Sequence, residues 1–298
     1  MKIRIGFGLG TRSQTHDRAR FIGLVEHLEA AGVDSLWFSD RIGGEAPDPV
    51  VAMAVAAART EKMKFGMSVM VLPGRNPAVV AKQLASLDRL SGGRLLPAFG
   101  LGARDATEHQ AFGVRREERA AIFDEALPLI RRLWSGERID HEGPHFSLSG
   151  VQVLPRPVQD PIDVWLGGIA PSELRRVGRL GDGWLPSFCT PDEVGDGIVT
   201  IRRVAAEHER EIEDEHYGAL IAYAHDEVPA AMAAFVQKRR PELHPTDVIP
   251  VGLDALAERI ERFVEVGASK FVVLPLVEPD DWRPEIDRLA ERVLPLQN

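Results

Sequence analysis

Apolar residues recur along this chain in short blocks whose spacing switches between that of a strand and that of a helix. Ile3, Ile5, Phe7 and Leu9 alternate with Arg4, Gly6 and Gly8, a two-residue period that predicts a first strand opening into Gly10, Thr11, Arg12 and Ser13. A helix is predicted over about residues 17–31, closed by Gly32, and a second strand over residues 35–39 delivers Asp40 and Arg41 to its end. A loop rich in glycine and proline, residues 43–49, leads into an alanine-rich helix through Arg59. The clearest block spans residues 64–102 and reads as strand, helix, strand. Its first strand, residues 64–72, stops at Pro73 and Gly74, after which Asn76 and Pro77 supply an N-cap and a first-turn proline. Val79, Val80, Leu84, Leu87 and Leu90 then mark one side of a helix that ends at Ser91, Gly92 and Gly93, and the next strand covers residues 95–101. Two apolar strands joined by a crossover helix pair in parallel, and helices cover a parallel sheet.

The same unit continues to the end of the chain. A loop over residues 103–115 precedes a helix over about 116–134, and residues 135–161 form an excursion too rich in turn residues for an ordinary connection, hence functional or a small packed hairpin. A fifth strand at 162–166 runs through Gly167, Gly168, Ile169 and Ala170 into a helix through Leu180, and a sixth at 183–188 precedes a helix that Thr190, Pro191 and Glu193 open with a capping box. A seventh strand at 217–224 is followed by a second insertion, residues 225–252, holding a short helix around 230–238. A helix at 254–266, a strand at 270–276 and a helix at about 284–294 complete the count. Eight strands alternating with helices predict a single-domain (β/α)8 TIM barrel over residues 1–298, with insertions after strands 4 and 7; a doubly wound sheet is the structural alternative. In such a barrel chemistry sits where strands end and the following loops begin. The two insertions are expected to set substrate identity.

Charge and composition narrow the function. A formal net charge of −9 disfavours a nucleic-acid or anionic-membrane surface. No apolar run is long enough to span a bilayer, and the N-terminus begins directly as a strand without a secretory pattern, so a cytoplasmic protein is expected. Cys189 is the single cysteine, which excludes an intrachain disulfide and a cysteine metal cluster. His16, His109, His141, His145 and His225 are scattered without ligand spacing, so no metal is expected, and no lysine stands at the end of strand six for Schiff-base chemistry. The run Lys238, Arg239, Arg240 is either a solvated helix end or a lure for an anionic group.

At the strand ends the sequence resembles the bacterial luciferase-like family of flavin- and deazaflavin-dependent oxidoreductases. The residues that carry the likeness are Ser39-Asp40, the run SVMVLPGRNPAVVAKQLASLDRLSGGR, FGLG ending strand four, LPRPVQDPIDVWLGG entering strand five, and GRLGDGW before strand six. Their order and spacing together are specific, and the SVM and RNPAVVAKQ stretches are most similar to the branch that uses coenzyme F420, a 5-deazaflavin. The resemblance implies a non-proline cis peptide at Ser68–Val69 against the cofactor ring, a hydrogen bond from Asp40 to the ring edge, backbone approach at Leu101 and Gly102, and a phosphate seat at Gly167, Gly168, Ile169 and Ala170. Such a seat suits free N–H groups at a helix N-terminus. The cofactor implied is F420, with flavin mononucleotide (FMN) as the alternative, and a homodimer formed through helices two and three, where the apolar residues 50–58 suit a contact.

The sequence also departs from the pattern. Some deazaflavin dehydrogenases carry a histidine after the strand-two aspartate and an acid just after the strand-four glycines; here Arg41 and Ala103-Arg104 stand at those places. Arginine cannot act as a general base near neutral pH, so sugar-phosphate dehydrogenation of that kind is not supported. Arg41 is expected to stabilise developing negative charge, and Glu108, with Asp105, is the nearest displaced carboxylate. The function expected is an F420-dependent oxidoreductase moving hydride to or from a small organic substrate. Its alternatives are an FMN monooxygenase fed by a separate reductase and a non-catalytic cofactor-binding barrel, with a phosphate-binding isomerase weaker still.

Overall fold

The structure, a computed structural model, describes residues 1–298. Its elements run β1 (Arg4–Leu9), α1 (Arg18–Ala31), β2 (Ser35–Phe38), α2 (Pro49–Ala57), β3 (Lys64–Met67), β4 (Met70–Val71), α3 (Pro77–Ser91), β5 (Leu95–Leu96), β6 (Ala98–Gly100) and α4 (Ala106–Ala111). They continue with α5 (Arg119–Trp134), β7 (Arg138–Glu142), β8 (Ser147–Gln152), β9 (Trp165–Leu166), α6 (Pro171–Leu180), β10 (Gly183–Trp184) and α7 (Pro191–Glu207). The last are β11 (Gly218–Tyr223), α8 (Ala230–Arg239), α9 (Pro245–Val248), α10 (Leu253–Glu265), β12 (Lys270–Pro275) and α11 (Arg283–Arg292). Side chains set the helix starts: Asp17, Asp48 and Asn76 each accept from two N–H groups in the first turn of α1, α2 and α3. Gly32 and Gly92 close α1 and α3 in the left-handed region, and Thr190 with Glu193 forms the expected capping box.

The strands close into a ring. One run of parallel pairs is β11-β12-β1-β2-β3-β5 and the other is β10-β9-β6-β4. The pairs β3/β4 and β5/β6 are the halves of the third and fourth barrel strands, the first interrupted at Ser68–Val69 and the second at Pro97, which has no N–H for the ladder. Parallel bridges Trp184↔Tyr217 and Ser187↔Leu220 join the sixth barrel strand to β11. Eight parallel strands therefore form a (β/α)8 barrel, and the doubly wound alternative, which needs free sheet edges, is excluded.

Packing follows from the alternation in β1. Ile5, Phe7 and Leu9 point outward into the large core shared with the helices, while the intervening glycines face the barrel interior. There, side-chain size is traded between neighbouring strands: a Cβ on Gly66 would lie 2.4 Å from the Trp37 ring, and one on Gly183 would lie 2.5 Å from Trp165. Trp37 and Trp165, with Ala98, Leu185 and Val272, fill the interior as a separate cluster. The Trp37 Nε1–H donates to Ser35 Oγ at 2.9 Å, so its one polar atom is satisfied in this buried setting. The sequence motifs around the barrel base are structural. Arg94 donates to Thr60 Oγ1 and to the carbonyls of Ala57, Met63 and Ser91, and Asp182 accepts from Arg131, Arg210 and the Val164 N–H.

The two insertions lie at opposite ends. Residues 135–161 follow α5, which returns the chain to the N-terminal ends of the strands, and form the hairpin β7/β8 there. Their far end is fastened to the last turn of α3, where Asp88 Oδ2 accepts from the Val158 and Gln159 N–H groups at 2.6 and 3.0 Å. This corrects the expectation that both insertions shape the substrate site. Residues 225–252 lie at the C-terminal face, pinched at their base by Ala224 N–H to Pro250 O and Gly252 N–H to Ala224 O. Part of the predicted 103–115 loop is helical, forming α4.

Glu125 on α5 holds the hairpin: its carboxylate hydrogen-bonds His141 Nε2 at 2.9 Å and accepts from the His145 and Phe146 N–H groups. Burial alone would raise its pKa, but these hydrogen bonds outweigh burial and hold the carboxyl below its usual range. Its contribution to stability is therefore complete above the unfolded carboxylate range and disappears as the pH falls through the lowered folded value. Glu125→Ala is expected to cost about 1–3 kcal/mol at neutral pH, with the difference in Tm from the parent narrowing in acid. An equal difference at both pH values would contradict this role.

Candidate active site

At the C-terminal ends of the strands a cleft of about 380 Å³ is lined by Asp40, Ser68, Val69, Leu101, Gly102, Gly167 and Gly168, among others. The fold thus brings together residues that the sequence places at the ends of the second, third, fourth and fifth barrel strands. The Ser68–Val69 peptide is cis, as the resemblance implied. Ser68 Oγ is buried and has no hydrogen-bond partner, an atom left for a ligand to satisfy. Val69 leans on the fourth barrel strand, where a Cβ on Gly100 would fall 2.4 Å from Val69 Cγ2. Gly102, at φ +80°, leaves similar room for Val71.

Asp40 is nearly buried, with 5% of its side chain exposed. Its Oδ2 accepts from the Val71 N–H at 2.9 Å and from Arg75 Nη2 at 2.8 Å, and Oδ1 has no protein partner. Burial raises its pKa above the usual carboxylate range, because desolvation outweighs the attraction of Arg75 and the Val71 N–H. A carboxyl held at such a cost beside an open cleft has the character of a binding group.

Arg41 and Glu108 meet at the edge of the cleft, around a smaller cavity of about 110 Å³. Arg41 Nη2 donates to Asp105 Oδ2 at 2.6 Å, and its Nε lies 3.8 Å from Glu108 Oε1. Glu108 uses both oxygens on backbone, accepting from the Ile42 and Gly43 N–H groups at 3.1 and 2.8 Å. In this arrangement Glu108 fastens the strand-two loop to α4, each of its oxygens accepting one backbone N–H. Arg119, unremarked in the sequence, does the same for the strand-four loop: its Nη1 donates to the carbonyls of Leu101, Gly102 and Ala103.

The predicted phosphate seat divides in two. Ile169 and Ala170 N–H groups both donate to Glu173 Oε2, at 3.0 and 2.9 Å. Gly167 and Gly168 N–H groups have no protein acceptor. Trp184, from the GDGW motif, fixes this turn by donating from Nε1 to Gly168 O at 2.8 Å. Arg176, one turn along α6, also lines the cleft. Of the basic run in the second insertion, Arg239 reaches the cleft, whereas Arg240 is paired with Glu193 and Glu242 on the neighbouring elements. Cys189 is buried, its thiol pushed up to about 12, and is unsuited to nucleophilic work. No helix is long and apolar enough to cross a membrane.

Arg75, Arg119, Glu173 and Arg176 are the site residues that sequence reasoning missed. Glu173 carried a local signal, three residues after the N-cap position of α6, and Arg75 stood in the RNPAVVAKQ stretch with no role assigned to it. The arginines act across 16 to 52 residues of sequence, where no periodicity reaches.

The luciferase-like monooxygenase family profile matches residues 2–268. This chain belongs to that family, and is an enzyme of it. It is 30% identical over 304 residues to an F420-dependent glucose-6-phosphate dehydrogenase of Rhodococcus erythropolis, an alignment covering 94% of this chain and 87% of the relative. The protein of the same description from Kineococcus radiotolerans is 36% identical over 167 residues, so that alignment spans about half of each chain, 53% and 49%. Among solved structures, the coenzyme F420-dependent tetrahydromethanopterin reductase of Methanopyrus kandleri superposes with a TM-score of 0.81 over 100% of both chains at 18% identity, a likeness of fold.

Gly100→Ala tests the fit at the third strand. Its methyl group is expected to displace the 68–69 segment, costing about 1–3 kcal/mol and abolishing ligand binding in the cleft. Unchanged stability and binding in a thermal-shift titration would show that the close approach is dispensable.

Proposed function

We propose that this protein is an F420-dependent oxidoreductase that moves hydride to or from a small organic substrate in the cleft above Ser68 and Val69. The observation that carries the reading is the buried, unpartnered Ser68 Oγ beside a buried Asp40 with one free oxygen, at the ends of parallel barrel strands. The deazaflavin, when bound, supplies the hydride chemistry. Ser68 and Val69 form the surface on which its ring rests, and Asp40 Oδ1 engages the ring edge. Leu101 and Gly102 line the same cleft, and Gly167 and Gly168, whose N–H groups have no protein acceptor, would receive the phosphate end, since Glu173 takes those of Ile169 and Ala170.

Arg41 is the residue proposed to act on the reacting groups. Its Nη2 is held by Asp105, which fixes the guanidinium at the cleft edge, and its Nη1 has no protein partner. A cation positioned in this way at the rim of the cleft stabilises negative charge as it develops on a bound group. Because Glu108 is committed to the Ile42 and Gly43 N–H groups, its proposed part is to hold the loop that carries Arg41. Glucose 6-phosphate, named in the curated relatives, is one substrate to test. The arginine at position 41 and the absence of an acid after Gly102 favour a different one.

A homodimer is proposed through α2 and α3, where Val51, Val55 and Val79 are exposed. Reduced cofactor is proposed to arrive from a separate reductase. Val51→Glu combined with Val55→Glu is expected to yield a folded monomer in sedimentation analysis. A parent protein already monomeric would contradict the interface.

The decisive assay follows F420 oxidation or reduction optically with glucose 6-phosphate and a panel of ketones, alcohols and enones, with oxygen uptake measured in parallel. Turnover with F420 and no oxygen uptake supports the proposal; oxygen uptake with reduced FMN would replace it by a monooxygenase. Arg41→Ala is expected to reduce turnover about 100-fold while leaving cofactor affinity within about threefold. Unchanged turnover would remove Arg41 from the mechanism.

A further inference from the structure

The donors around the N-terminus of α6 are guarded by a carboxylate. Glu173 Oε2 takes the Ile169 and Ala170 N–H groups, and Gly168, at φ +94°, wraps that carboxylate so closely that a Cβ there would stand 2.5 Å from the same oxygen. Beside it lies a buried cation with free donors. Arg176 is 8% exposed, and its one hydrogen bond runs from Nε to Asp124 Oδ1 at 2.6 Å, with the guanidinium over the Phe123 ring at 5.6 Å. The Nη nitrogens of Arg176 and the N–H groups of Gly167 and Gly168 have no protein acceptor. Arg179 shares Asp124 at 2.7 Å. Glu173 and Asp124 thus balance Arg176 and Arg179, and Arg239, across the cleft on the second insertion, is the one further cation that lines it.

A phosphate seated here meets Arg176 and two free N–H groups on one side and the Glu173 carboxylate on the other. The repulsion from Glu173 grows with the charge on the phosphate. A phosphodiester, as in F420, carries one negative charge; a phosphomonoester, as in FMN, carries about 1.5 to 2 at pH 7. We propose that Glu173 is a specificity residue that reads the charge of the cofactor's phosphate, admitting a diester on Gly167, Gly168 and Arg176 and disfavouring a monoester. The proposal rests on the cofactor seat assigned above. Discrimination arises from a repulsive element placed against the competitor as much as from attraction to the preferred ligand.

The test is a fluorescence titration of the whole protein with riboflavin, FMN and the methyl diester of FMN, and with F420 and its phosphate-free deazaflavin core. For the parent, F420 is expected to bind more tightly than its core, and the methyl diester about tenfold more tightly than FMN. In Glu173→Gln, which keeps an amide oxygen for the Ile169 and Ala170 N–H groups, FMN is expected to gain about tenfold while riboflavin and the deazaflavin core are unchanged. Equal binding of FMN and its diester by the parent would overturn the role of Glu173, as would an unchanged ratio of FMN to riboflavin in the variant. The parent comparison needs no variant to fold. If the rings bind but ignore the ester, only this inference falls; if no ring binds, the cofactor seat falls with it.

Discussion

Val69 and Gly100 occupy one space that only one of them can fill. With Val69 Cγ2 sitting 2.4 Å from where a Cβ on Gly100 would be, the third barrel strand can turn its chain at residues 68–69 only because the fourth strand carries no side chain there. From that fit follow the orphaned Ser68 hydroxyl, the position of the Val71 N–H, and the hydrogen bond by which that N–H holds Asp40 at the end of the second strand. Arg75, in the turn before α3, completes the arrangement by pairing with the same carboxylate oxygen. Three strand ends are thereby fixed relative to one another before any loop is considered.

The remaining architecture separates stability from chemistry by the two ends of the barrel. At the N-terminal end, Arg94, Asp88, Asp182 and Glu125 satisfy backbone and tie down the hairpin β7/β8. At the C-terminal end, polar groups facing the cleft are left without protein partners: the buried Ser68 Oγ, and with it Asp40 Oδ1, the Gly167 and Gly168 N–H groups and the Arg176 Nη atoms. A buried polar atom without a partner destabilises a fold unless something else engages it, and Ser68 Oγ is the one such side-chain atom that lies beside the cleft. Only the second insertion overlooks it, where Phe235 packs on Phe188 and Arg239 reaches the rim.

Much of this was legible in the sequence because it is local. Asn76, Pro77 and Gly92 announce the bounds of α3, Thr190 and Glu193 announce the start of α7, and the alternation in β1 separates helix-facing from interior positions. The eight strands and their closure followed from counting. The roles of Glu108 and of residues 135–161 were less legible for opposite reasons. Glu108 lies in the right loop, but only its distance to the Ile42 and Gly43 N–H groups reveals that both its oxygens are engaged. By composition residues 135–161 were either functional or a small packed hairpin; they form the hairpin, and their place after α5 puts it at the other end of the barrel. Arg75 stood in the RNPAVVAKQ stretch without its partner being legible, and Arg119 and Arg176 left no trace, because a long side chain reaching a distant carbonyl or carboxylate imposes no pattern on its neighbours in sequence.

The central claim is that the cleft above Ser68 and Val69 seats the ring of F420. A crystal structure of the protein soaked with oxidised F420 tests it most directly. The account predicts the deazaflavin ring resting against Ser68 and Val69, with its edge hydrogen-bonded to Asp40 and its phosphate within reach of the Gly167 and Gly168 N–H groups and Arg176. A ring bound elsewhere on the barrel, or in this cleft without contact to Asp40 and Ser68, would contradict it.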